Sequence, residues 1–447
     1  MEGDNMKYNG LTGKVVTPGD PEYDLARQEY NETIDAYPAI IVYCMNPCDV
    51  ANAILWSREH GFRLRVRSGG HNYEGYSTGT DKLVIDTSCM NGMKVNNAND
   101  TVEIQAGLRL LPLYERLYQF GYTFPGGTCP TVAISGLVLG GGIGLSTRYL
   151  GLTTDSLIEA EMVDAWGNQL TANHCCNPEL FWALRGAGGG NFGVVTSYKF
   201  QLLKKVNHIT LIRLRWDNNI PARIQFLRTW QDWLPCLDRR LSAFGGIYKL
   251  GAWVNAFFYG QPQDARQILA PLLHIPGITL EYIESVPFID AINMIGADYP
   301  RRDAFQQVGR FVYRPFRQDE LENLIYIMDN APSNRNSSLR VYSLGGAVRD
   351  TETNATAFYY RQANDIMAIT SSWESKEEAP LHEEWVKTSF NYVYTITRGS
   401  YVNFPYNQTP NYEYNYYGEH IRRLMHIKKE YDPHNIFSFP QSIKPPS

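Results

Sequence analysis

Apolar positions in the first two hundred residues fall in short runs, each ended by glycine, proline or a polar turn. Residues 10–36 read as a lead-in with a turn at Pro18-Gly19-Asp20-Pro21. The run 39–44 is a strand. From Asp49, a residue able to cap a helix, Val50, Ile54, Leu55 and Trp56 recur at helical spacing to about His60, and Gly61 stops the helix. Leu64-Arg65-Val66-Arg67 alternates as the next strand and completes a βαβ-like unit. Strands follow at 83–86 and 102–107, then a helix over about 111–120 closed by Gly121. Two more strands, 157–163 and 194–200, enclose a turn at 164–168 and a helix at 178–184.

The pattern changes after about Lys205. Strands are expected at 209–216, twice within 243–260, and near 339–344 and 366–373. Helices are expected at 224–234, 265–273, 318–330 and 377–392. Strands mixed with helices in this order predict an α+β lobe, an antiparallel sheet covered on one face. The tail from Tyr401 carries a helix at 417–431 and a proline-rich end.

Three glycine-rich stretches interrupt the first half: Arg67-Ser68-Gly69-Gly70-His71-Asn72-Tyr73, the uncharged run from Gly126 to Arg148, and 186–193. Glycine lets the backbone approach a ligand closely, and a buried irregular backbone needs acceptors for its N–H groups. The first loop follows a strand and can present consecutive N–H groups as an anion nest. No Gly-Lys-Ser/Thr closes it, so it is not a Walker loop. Neither it nor Gly140-Gly141-Gly142-Ile143-Gly144 has the Rossmann spacing, which makes a nicotinamide dehydrogenase a poor fit. Three such loops predict one long ligand held at several points; the competing reading is glycine required by packing alone.

At 447 residues, 44% hydrophobic and 19% charged, the chain is long enough for two or three domains with sizeable cores. A net charge of −5 without a basic run argues against nucleic acid. Thirty tyrosines and 13% aromatic content suit a pocket for a sugar or aromatic substrate. The N-terminus shows no basic region followed by an apolar run, and no stretch approaches the ~18 apolar residues of a membrane span. A cytoplasmic or non-classically associated protein is expected. The seven cysteines are scattered, with Cys44 and Cys48 four apart and Cys175 beside Cys176, which argues against both zinc and a disulfide framework. Cys129 alone sits in a special setting.

Arg67-Ser68-Gly69-Gly70-His71, Gly127-Thr128-Cys129, Leu139 to Gly144, Gly190-Asn191-Phe192-Gly193, Tyr416-Tyr417-Gly418 and Tyr431 to Phe437 together resemble the berberine bridge enzyme-like flavoproteins of the vanillyl-alcohol oxidase superfamily. The resemblance spans nearly the whole chain. It implies a PCMH-type FAD-binding domain built from residues 1–205 plus the tail 396–447, with an inserted antiparallel-sheet substrate domain at 206–395. It also implies a bicovalent FAD, bonded at its 8α-methyl carbon by His71 and at C6 by Cys129. A neutral imidazole and a thiolate are nucleophiles suited to those carbons. Further FAD contacts are implied at Arg67, Ser68, Gly69, Gly70, Asn72 and Gly75, at Thr131, Val132, Ser135, Gly136, Gly140, Gly141 and Gly144, and at Val195 and Tyr416.

The implied reaction takes a hydride from a hydroxyl-bearing carbon, or from a C–N centre, to flavin N5 and a proton to a base. Dioxygen or another acceptor then reoxidises the flavin. Members that oxidise alcohols often carry Tyr-x-Asn-Tyr before the tail; here the stretch reads Tyr401-Val402-Asn403-Phe404. Phe404 cannot take a proton, which leaves Tyr401 and Tyr406 as candidate bases. A tyrosine base must shift from ~10 toward 7, roughly 4 kcal/mol of phenolate stabilisation. Ala133 stands where the family usually has glycine, and His420 where it often has asparagine. Val132 falls at a position thought to gate oxygen, where a small valine is typical of oxidases. The expectation is an FAD-linked oxidase of a carbohydrate or other alcohol. The alternatives are a dehydrogenase with another acceptor or a C–N substrate, and a flavoprotein with a structural or coat role.

Overall fold

The computed structural model describes residues 8–446. Three sheets organise it. In the first, Ile40–Tyr43, Leu83–Asp86 and Leu64–Arg67 run parallel, with Lys14–Val16 antiparallel at one edge. Ile40–Tyr43 and the first three residues of Leu83–Asp86 are apolar because both faces are covered, one by the helix Pro47–Glu59, whereas Leu64–Arg67 alternates apolar and charged residues. That helix starts earlier than expected: Asn46, not Asp49, caps it, accepting from the N–H groups of Cys48 and Asp49 at 2.9 and 3.1 Å. Pro47 at the first helical position has no N–H to leave unsatisfied, which favours the earlier start.

The second sheet is antiparallel, in the order Met93–Asn96, Thr101–Gln105, Val194–Gln201, Leu157–Val163, Gln169–Asn173. Its outer strands escaped the periodicity because they are short and half polar. The uncharged run from Gly126 contains a buried helix, Ile134–Leu139, between two irregular stretches.

The third sheet has eight antiparallel strands in the order Leu280–Pro287, His208–Trp216, Gly251–Phe258, Leu241–Tyr248, Ser337–Ser343, Asp365–Trp373, Ala304–Val312, Arg398–Ser400. Successive residues point to opposite faces. Leu214, Val254, Ile247, Leu339, Ile369 and Val308 share one face with the helices Ile220–Trp233, Gln318–Asp329 and Ala379–Ile396. The opposite face carries Arg215, Trp253, Tyr248, Arg340, Thr370 and Gln307, and it roofs a cavity above the glycine loops. The fold is thus α+β, a lobe that carries the glycine loops under a helix-covered antiparallel sheet.

The tail helix expected at 417–431 is two helices, Tyr412–Tyr417 and Ile421–Tyr431, separated by Gly418 at φ +52°. Lys428 Nζ, fully buried, donates to the carbonyls of Asn191 and Phe437 and to Asp432, which ties the tail to the third glycine loop. His420 bonds Asn354 Oδ1 at 3.0 Å and the Ala357 carbonyl at 3.3 Å, so it anchors the tail to the inserted lobe. No two cysteines form a disulfide. No described helix is long and apolar enough to cross a membrane.

Candidate functional site

The three glycine stretches meet on one wall of a cavity of about 690 Å³, within the ~300–1,000 Å³ of small-molecule sites. Gly69 explains how closely they approach: a Cβ there would lie 2.7 Å from the backbone nitrogen of Ala133. Gly136, on the helix Ile134–Leu139, faces open space, so a side chain there would fill part of the cavity.

His71 and Cys129 both line the cavity and are joined by one hydroxyl. Thr131 Oγ1 lies 3.0 Å from His71 Nε2 and 3.6 Å from Cys129 Sγ. Tyr30 stacks on the imidazole with centroids 4.0 Å apart, fixing the ring plane. Burial, and then the charge of Arg109, push His71 down to about 3, so at neutral pH it is an uncharged imidazole with a lone pair available. Burial pushes the Cys129 thiol up; the Thr131 hydroxyl and the N–H groups of Thr131 and Val132 oppose that.

Of the other residues expected to hold a cofactor, Ser68, Gly69, Gly70, Asn72, Val132, Ser135, Gly136, Val195 and Tyr416 line the cavity. Arg67, Gly75, Thr131, Gly140, Gly141 and Gly144 do not. Arg67 turns into the lobe interior, to Glu29, Asp86 and the Ala26 carbonyl at 3.2, 2.5 and 2.8 Å. Gly75 and Gly141 have φ of +68° and +111°, and a Cβ would meet Ile34 and the Phe358 ring. Asn403 occupies the space beside Gly140, and the Gly126 carbonyl that beside Gly144. For these glycines packing is the structural requirement. Thr131 acts from behind the wall, through its hydroxyl.

Tyr401 and Tyr406 part company. Tyr401 lines the cavity, and its oxygen accepts from Gly142 N–H and Asn403 Nδ2, both at 3.1 Å. Burial nevertheless pushes its phenol up to about 12. Tyr406 lies off the cavity, in the core under the helix Ala379–Ile396, with its ring against Phe390 at 5.0 Å. Phe404 stacks on Tyr73 at 5.5 Å, so the place of the missing tyrosine is filled by an apolar ring pair.

Sequence reading passes over Tyr30, Asp303, Gln307 and Arg340, all on the cavity wall. The available signal is the alternation Ser337-Ser338-Leu339-Arg340-Val341-Tyr342-Ser343, where one parity is core and the other faces the cavity.

Residues 38–173 match the FAD binding domain family and residues 400–444 the berberine and berberine-like family. The chain is 36% identical over 455 residues to the uncharacterized FAD-linked oxidoreductase YgaK of Bacillus subtilis, covering 98% of each chain. It is 27% identical over 487 residues to berberine bridge enzyme-like 21 of Arabidopsis thaliana, covering 97% of this chain and 89% of the relative. This chain belongs to the berberine bridge enzyme-like family of FAD-linked oxidoreductases. Its structure superposes on Physcomitrella patens BBE-like 1 with a TM-score of 0.93 at 28% identity and on a chitooligosaccharide oxidase with 0.91 at 24%, in both cases over 99% of each chain.

The wall fits the FAD of a berberine bridge enzyme-like protein. The consecutive N–H groups of Ser68, Gly69, Gly70 and His71, and those of Gly189 and Gly190, donate to no protein acceptor among the described residues. Such donors call for an anion laid along them. Arg65 Nε and the Tyr76 hydroxyl, on the same wall, are buried without a partner among the described residues. Polar atoms of that kind are retained where a ligand satisfies them.

Proposed function

We propose that this berberine bridge enzyme-like protein is an oxidase of carbohydrates or related alcohols, carrying FAD bonded to both His71 and Cys129. The observation that carries the reading is the convergence of those two side chains on Thr131, beside the unpaired N–H groups of the first loop. FAD held there would supply the acceptor for the hydrogen and electron pair of a substrate C–H bond, with dioxygen as its oxidant. The chain's own part is binding and proton handling. A neutral His71 has the lone pair that covalent attachment needs. Thr131 gives the Cys129 proton a polar neighbour, which favours loss of that proton despite burial. Above them, the faces of Trp253, Tyr248 and Phe244 and the polar atoms of Gln307, Asn255 and Arg340 form the kind of surface a sugar ring binds. Val132 is a small residue on the same wall, which supports the oxidase reading.

A second reading is a dehydrogenase with another acceptor or an oxidase of C–N bonds; Phe404 in place of a tyrosine base favours the C–N form, in which no hydroxyl proton has to be removed. Oxygen uptake with mono- and oligosaccharides, run beside anaerobic dye reduction and an amine series, tests both. Oxygen consumption with sugars supports the first reading. Dye reduction without oxygen uptake, or turnover confined to amines, supports the second. A flavoprotein reduced by none of these favours a structural role.

A further inference from the structure

Alcohol oxidation releases a proton, and the tyrosines named by the sequence are poorly placed to take it. Tyr406 is off the cavity. Tyr401 already accepts two N–H donors and is held in its neutral form by burial. The Tyr299 hydroxyl is joined to Thr128 Oγ1 at 2.6 Å. Burial raises Tyr30 and Tyr73 above the ordinary phenol. Three carboxyl groups line the cavity, and two are engaged: Asp217 receives the Tyr248 O–H at 2.5 Å, and Asp298 pairs with Arg213 at 3.2 Å. The third, Asp303, has no side-chain partner among the described residues.

We propose that Asp303 is the catalytic base of this enzyme, taking the substrate's hydroxyl proton, with Arg340 as the cation on the same cavity wall. The inference rests on the alcohol-oxidation reading above.

Its position is fixed by backbone, not by a mobile side chain. The Tyr30 N–H donates to the Gly70 carbonyl at 2.8 Å, next to His71. The Asp303 N–H donates to the Tyr30 carbonyl at 3.1 Å, and Glu32 N–H donates to the Asp303 carbonyl at 2.9 Å. Asn31 Nδ2 adds bonds to the carbonyls of Tyr73 and Phe305 at 2.8 and 3.1 Å. A short ladder thus runs from the loop that holds His71 to Asp303, and Tyr30, in its middle, stacks on the imidazole.

Arg340 lies mid-strand on a rigid sheet, opposite Gly246 and Ala368, neither of which has bulk to screen it. Its Nε donates to Ser338 Oγ at 3.0 Å, and its terminal nitrogens have no protein partner among the described residues. A guanidinium so held favours the ionised form of Asp303 and negative charge growing on a substrate oxygen. Burial pushes Asp303 up to about 6, Glu32 pushes the same way, and Arg340 and the Ala304 N–H oppose them. Glu32 is itself paired with Arg302 at 3.4 Å, which tempers its repulsion. A carboxylate near 6 is ionised at neutral pH yet basic enough to take a proton in the transition state.

The step balances. The substrate's C–H and O–H bonds break and its C=O bond forms. The hydrogen and electron pair of the C–H bond go to bound FAD as oxidant, and the hydroxyl proton goes to a carboxylate oxygen of Asp303, which later releases it to water.

The test uses the flavin-loaded wild type, Asp303→Asn and Asp303→Glu. Anaerobic flavin reduction by D-glucose, D-galactose, cellobiose and D-glucuronate is followed from about pH 5 to 8. Wild-type reduction should rise with pH through about 6 and level off. Asp303→Asn should be slower by about 10²–10⁴-fold and lose that limb, and Asp303→Glu should recover at least tenfold over Asn. Carbon-13 NMR of protein labelled at aspartate carboxyls reads the group without turnover: a resonance absent from Asp303→Asn should titrate near 6. Asp303→Asn reduced at the wild-type rate with the same pH limb overturns the proposal and leaves the alcohol reading standing. So does an Asp303 resonance that titrates in the ordinary carboxylate range. A wild type reduced by none of the four compounds overturns the alcohol reading, and this proposal with it.

Discussion

Tyr401 lines the cavity with its phenolic oxygen already engaged, which is the reason the proposed proton route bypasses it. Its oxygen is the acceptor for Gly142 N–H and Asn403 Nδ2 inside a ring cluster with Phe311, Phe358 and Phe404. Tyr401→Phe removes that acceptor and strands two buried donors, at a cost of about 1–3 kcal/mol. With Asp303 as the proposed base, the expected outcome is a lower urea midpoint with flavin reduction by substrate slowed less than about tenfold. A loss of several orders of magnitude, with stability preserved, would return the base to Tyr401. The position of His71 and Cys129 was legible because each sits in a glycine-rich loop of a recognisable motif. Asp303 was not, because Pro300-Arg301-Arg302-Asp303 reads as a solvated turn until its pairing with residues 30–32 is known.

At the scale of elements, the first loop stands on a buried triad. Arg67, held well above its ordinary range, ends the strand Leu64–Arg67 and neutralises Glu29 and Asp86. Arg67→Met leaves two buried carboxylates unpaired, and the expected loss is about 3–5 kcal/mol, read as a fall in thermal midpoint. An unchanged midpoint would mean the triad is not buried as described. The contribution to flavin binding is indirect, through the loop that Arg67 anchors.

The strands Ile40–Tyr43 and Leu83–Asp86, the alternating Leu64–Arg67 and the long helices were readable from periodicity because burial imposed an apolar run, an alternation or a stripe on each. The roof was harder. In Ala304–Val312 the alternation is broken by Gln306-Gln307 and Gly309, where Gly309 leaves room for Phe404. Leu280–Pro287 is an edge strand with half its residues exposed, so burial never imposed a pattern on it.

Across the whole molecule, the site is closed by segments distant in sequence. The tail holds the third glycine loop through Lys428, the Asn191 side chain and the Tyr417 hydroxyl, which donates to the Ala187 carbonyl at 2.9 Å. Asp432 lies 2.7 Å from the fully buried Lys428 Nζ. Lys428→Met leaves Asp432 buried without its cation, costing about 3–5 kcal/mol. It should also release the loop that carries Gly189 and Gly190. Lower flavin content per chain and faster proteolysis of the tail are expected; full flavin loading with a protease-resistant tail would show that the tail does not hold the loop.

The two-point attachment of FAD is read most directly by intact mass under denaturing conditions. The wild type should be a yellow polypeptide heavier by one FAD. His71→Ala and Cys129→Ala should each keep one bond, with the flavin peptide mapping to the surviving residue, and the double variant should release its flavin on denaturation. A wild-type chain of apo mass, or a single variant that loses all covalent flavin, would rule out attachment at both residues.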